Sequence, residues 1–80
     1  MALGSASHHG HEVEVTRFSP IDSDEIIVEF RTRDDHGTLV EILEVFRSED
    51  SEELFVRLID QPVSVELMRW AIEEAVKRLA

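Results

Sequence analysis

Cysteine is absent from these 80 residues. That removes disulfides, thiolate nucleophiles and thiolate metal sites together. A domain this short buries only about 60% of the surface its unfolded chain exposes, so its natural remaining staple is a partner subunit. No apolar run approaches the roughly 18 residues that a spanning helix needs, and no charged-then-apolar signal segment opens the chain. Glycine occurs three times and proline twice, leaving no glycine-rich loop to cradle a phosphate. Basic residues are scarce as well: eight Lys and Arg face eighteen Asp and Glu, a formal charge of -10. Such a chain is repelled by phosphate backbones and anionic lipid, which argues against direct nucleic-acid or membrane binding. The expected compartment is the cytoplasm, and no cofactor or metal is expected.

What is present is alternation. Residues 1–10 (MALGSASHHG) are small, polar and aperiodic, and read as a flexible leader to a single α+β domain over 11–80. From His11 to Phe18, Val13 and Val15 alternate with Glu12, Glu14 and Thr16, the pattern of a half-buried strand. Pro20 to Asp24 is turn chemistry, and Glu25 to Arg33 alternates again, with Ile26, Val28 and Phe30 on one face. Asp34-Asp35-His36-Gly37 predicts a three-residue hairpin loop closed by a left-handed glycine. The register that follows sets Thr32 against Val40, Phe30 against Ile42 and Ile26 against Phe46. It also sets Arg31 against Glu41 and leaves one mismatch, Val28 opposite Glu44. Leu54 to Ile59 predicts a fourth strand whose Phe55 meets Phe46 and whose Arg57 meets Glu44. Ser64 then caps a helix whose Val65, Met68, Ala71, Ile72, Ala75, Val76 and Leu79 share one arc. The expected architecture is therefore a four-stranded antiparallel meander, β-β-β-β-α, with the helix on one face. The alternative, β-β-α-β-α, makes residues 38–47 helical: Thr38 and Glu41 form a capping box, and Leu39, Ile42, Leu43 and Phe46 share a helical stripe.

One helix covers only one face of such a sheet, and the later strands are apolar on both. The expected free surface combines Leu43, Val45, Val56 and Leu58 with Leu67 and Trp70, which lie outside the helical arc. That predicts a homodimer, with Trp70 as an anchor. The turns gather Asp22, Asp24, Glu49, Asp50, Glu52 and Glu53 at one end, an acidic patch suited to a basic protein partner. Its spacing does not match a calcium loop. His8, His9 and His11 fall with Asp34, Asp35 and His36 at the opposite end, but most of these histidines belong to the leader and no second ordered ligand pair completes a zinc site. Glu44 on a largely apolar face is the one candidate general base, and its pairing with Arg57 is the simpler role.

The stretch Arg33-Asp34-Asp35-His36-Gly37-Thr38-Leu39-Val40-Glu41-Ile42-Leu43 resembles the strand-to-helix corner of ACT-type small-molecule sensor domains. His36 stands where that corner carries proline, and only one strand and one helix follow. The resemblance implies an amino-acid-binding regulatory module and a helix over 38–47. Taken from the residues alone, the expectation is a non-enzymatic, self-associating protein-binding or regulatory module. A nucleic-acid-mimicking inhibitor of a basic groove and an ACT-like sensor are the alternatives.

Overall fold

The computed structural model describes residues 2–8, 11–59 and 61–79, with the backbone alone for 2–8 and His11. Five strands form one antiparallel sheet in chain order: β1 (Ala2–His8), β2 (His11–Phe18), β3 (Glu25–Arg33), β4 (Leu39–Ser48) and β5 (Phe55–Leu58). One helix, α1 (Val65–Leu79), follows. The four-stranded meander with its C-terminal helix is thus present, and residues 39–48 are extended. The helical alternative, and with it the ACT-like corner, is overturned. Asp34 and Thr38 close the β3–β4 turn as the sequence predicts: the Asp34 amide donates to the Thr38 carbonyl at 2.9 Å, and Gly37 sits at φ +80°. The Asp34 carboxylate accepts from the amides of His36 and Thr38 at 2.8 and 3.0 Å, which fixes the turn locally.

Two features depart from the sequence reading. Residues 2–8, expected as a leader, form a strand paired with β2 from Ala2↔Arg17 to His8↔His11. Backbone hydrogen bonding explains this: the outer edge of β2 is a template that accepts any chain without proline, however weak its strand propensity. The second departure is a bulge in β4. Phe30 pairs with Leu43 and Arg31 with Glu41, so Ile42 is the extra residue. Beyond it every β4 partner moves by one. Val28 meets Val45, Glu29 meets Glu44, and Ile27 meets Phe46. A one-residue shift exchanges the faces of a strand, and it removes the Val28–Glu44 mismatch.

Consequently β2 and β3 keep their expected face toward the helix, while the β4 residues expected to be free turn inward beneath it. Val13, Val15, Val28, Phe30, Leu43 and Val45 are fully buried, joined by Ala71, Ala75 and Leu79 from α1, which lies across β3 and β4. The helix is also rotated from its expected arc. Leu67 and Trp70 pack on the core while Val65 and Val76 are 70% and 48% exposed. Trp70 meets Phe30 edge to face, with ring centroids 5.9 Å apart. Burying an indole withdraws far more apolar area than burying a valine, so the helix turns toward it. Ser64 caps α1 as expected, its Oγ accepting from the Leu67 amide at 3.0 Å. At the other end the Arg47 guanidinium donates to the Leu79 carbonyl at 3.4 Å.

Candidate functional site: an open face and an open edge

The pairing registers place three rungs on the face away from the helix. The first runs Phe18, Ile27, Phe46, Phe55 across β2 to β5; the second runs Thr16, Glu29, Glu44, Arg57; the third runs Glu14, Arg31, Glu41. This face closes upon itself. Phe46 and Phe55 stack with centroids 5.6 Å apart, and the Arg57 guanidinium lies 4.4 Å from the Phe46 ring centroid. Ile27, in the middle of that rung, is only 4% exposed. Arg57 also reaches the Glu44 carboxylate at 2.8 Å, the pairing the sequence predicts, and Arg31 reaches Glu29 at 2.6 Å.

Glu29, Glu41 and Glu44 form a carboxylate cluster, one oxygen of each lying within 4.8 Å of the others. The bulge creates it, because only the shifted register sets Glu44 beside Glu29 on the face that carries Glu41. Glu29 and Glu44 are buried and each has an arginine; Glu41 has none, and its Oε1 is buried without a hydrogen-bond partner. Desolvation raises the Glu41 pKa to about 7, reinforced by hydrogen bonding to Glu44 and by repulsion from Glu29 and Glu44. Carboxylates in this arrangement could ligate a hard cation, but two of the three already carry guanidinium partners. The chemistry that fits is a proton held by Glu41 and donated to a neighbouring carboxylate.

The edge is different. β5 has only four residues, all of them exposed, and among the described residues no strand pairs with its outer side. Phe55, Val56 and Leu58 are 47%, 36% and 44% exposed. Val56 and Leu58 share the helix-side rungs with Val45 and Leu43, but α1 packs chiefly over β3 and β4 and leaves both residues exposed. The Ile59 amide donates to the Ile42 carbonyl at 3.4 Å, which sets the phase of the ladder. Hydrogen-bonded and non-hydrogen-bonded pairs alternate, so Phe55 and Arg57 bond to β4, while Val56 and Leu58 direct their N–H and C=O outward.

Of the six residues expected at an interface, the structure keeps Val56 and Leu58 exposed at this edge. It places Leu43 and Val45 in the core and packs Leu67 and Trp70 against that core. The burial of Leu43 and Val45, and the packing of the partly buried Leu67 and Trp70 on the core, correct the expectation, and the cause is the register shift together with the helix rotation. Asp22, Asp24, Glu49, Asp50, Glu52 and Glu53 are all exposed. Their loops are joined at one end of the sheet by the Glu49 amide donating to the Asp24 carbonyl at 2.8 Å. Arg47, Glu49, Asp50, Glu52, Val76 and Leu79 line a shallow groove there. His36 is exposed in its turn; His9 lies outside the described residues, as do the side chains of His8 and His11. Sequence reasoning missed Phe55 as an edge residue and missed the Glu29–Glu41–Glu44 cluster. The signal for both was the Val28–Glu44 mismatch, which a one-residue bulge removes. No family model matches the chain, and no curated protein or solved structure matches it.

Proposed function

We propose that this domain is a non-enzymatic protein-binding module, cytoplasmic as its lack of cysteine allows, whose working surface is the outer edge of β5. The observation that carries this reading is the open ladder at Val56 and Leu58, flanked by exposed apolar side chains. An unpaired edge recruits an extended segment through main-chain hydrogen bonds, while alternate side chains supply selectivity. Both sheet faces are otherwise engaged, one by α1 and one by its own aromatic and ion-paired rungs.

A synthetic peptide spanning residues 53–59 tests the edge. On adding it to the protein, the Val56 and Leu58 amides should shift and gain protection from exchange. Perturbation confined to other strands, or none at all, contradicts the reading. A second reading rests on the exposed acidic end formed by Asp22, Asp24, Glu49, Asp50, Glu52 and Glu53, which suits a basic protein partner. It predicts salt-sensitive binding of an arginine-rich peptide that shifts those loops and leaves β5 unchanged; binding insensitive to salt counts against it.

A further inference from the structure

We infer that the segment received by β5 is β5 of a second copy, paired antiparallel about a two-fold axis through Val56 and perpendicular to the sheet. This rests on the edge reading above and adds the partner and its register.

The geometry leaves few choices. Such an axis keeps each residue on its own face, so residue i must lie opposite a residue of the same parity in the second copy. The axis must therefore pass through a residue. An axis through Arg57 puts two arginines directly opposite, a destabilising like-charge pair. One through Phe55 sets Leu58 opposite Glu52 and carries the ladder out of β5 into the acidic loop before it. The axis through Val56 uses the whole strand. Val56 then pairs with its own copy, Leu54 with Leu58, and Phe55 with Arg57.

Each of these rungs is chemically matched. Val56 and Leu58 carry the outward N–H and C=O groups, so their rungs are the hydrogen-bonded ones once Leu54, just before β5, extends the strand against the copy's Leu58. Phe55 and the copy's Arg57 form the close, non-hydrogen-bonded rung. Arg57 already lies over one aromatic ring and its side chain is 49% exposed, so it can accept a second ring from across the axis. The product is a continuous ten-stranded sheet with both helices on one side. Each copy carries a charge of -10, so repulsion opposes the pairing, and added salt should strengthen it through screening.

Sedimentation equilibrium from micromolar to millimolar concentration should show a dimer whose population rises with salt. Val56→Pro removes an amide that the ladder phase directs away from β4, and proline is tolerated on edge strands; this variant should sediment as a monomer with an unchanged circular dichroism spectrum. Independently, Val56→Cys introduces the chain's one cysteine. Opposed Cα atoms about 5.5 Å apart on a hydrogen-bonded rung lie within disulfide range, so mild oxidation should give a covalent dimer, and Ile21→Cys should not. A monomeric wild type, or a dimer that the Val56→Cys variant fails to lock, overturns the inference. If the peptide of residues 53–59 still docks on β5 of a monomeric protein, the edge reading survives and only the identity of the partner falls.

Discussion

The two faces of this sheet reach closure by different physics. On the covered face Val15, Phe30, Leu43, Val28 and Val45 are withdrawn from water completely, and α1 adds Ala71, Ala75 and Leu79 with Trp70 against Phe30. On the open face the described residues supply no second layer. There the chain uses long side chains lying flat: Arg57 spans Glu44 and the Phe46 ring, Arg31 holds Glu29, and Phe55 stacks on Phe46. The first face draws its stability from removed apolar area, the second from pairing over half-wet surface, where each contact contributes much less. A sheet needs a second layer on a face only if that face is apolar throughout, and this one is apolar for a single rung.

The largest expected effect separates these mechanisms directly. Phe30→Ala, a fully buried ring with Trp70 on its edge, should cost about 3–5 kcal/mol by denaturant unfolding, a large part of what a small domain possesses. Phe46→Ala on the open face should cost about 1–2 kcal/mol, because its ring remains partly exposed and its partners are Phe55 and Arg57. Equal losses would mean that the open face is covered after all.

The next effect sharpens the contrast in the opposite sense. Glu41 has a folded pKa of about 7 against an ordinary 4.5, so between those values the folded state binds more protons than the unfolded one. Stability should therefore be highest at pH 4.5 and below as far as Glu41 is concerned, fall as pH rises toward 7, and level off above it. Glu41→Gln should abolish that slope and raise stability at pH 8 by about 1 kcal/mol, a modest figure because the side chain is half-exposed and solvent screens it. An unchanged slope in the variant would detach the cluster from pH. The smallest effect lies outside both faces. Ser64→Ala removes the bond from the Leu67 amide at an exposed helix end and should cost about 0.5 kcal/mol, the low end for a lost cap, lowering the melting temperature without altering the oligomeric state.

Much of this was legible in the sequence where the signal was local. The Asp34–Gly37 turn, the Ser64 cap and the Phe46–Phe55 and Glu44–Arg57 pairings all follow from residues close in the chain or from a single turn, whereas the place of β2 in the strand order did not. The bulge was not legible, because nothing in the residue type of Ile42 distinguishes an inserted residue from a paired one; the effect appears only in what it does to distant partners. Its trace was the apolar–acid mismatch at Val28 and Glu44, and reading that mismatch as a slip would have placed Leu43 and Val45 in the core. The rotation of α1 escaped for a related reason. Helical periodicity offers two overlapping stripes, and the choice between Val65/Val76 and Leu67/Trp70 depends on Phe30 across the sheet. The pairing of Ala2–His8 left no pattern at all, since a backbone edge recruits a neighbour whatever its side chains.

The make-up of both faces and of the edge descends from the β4 register, and cross-strand nuclear Overhauser effects measure that register directly. Contacts from the Val28 methyls to the Val45 methyls, with Glu29 opposite Glu44, are the expected result. Contacts joining Val28 to Glu44 would return Leu43 and Val45 to the uncovered side and contradict the account.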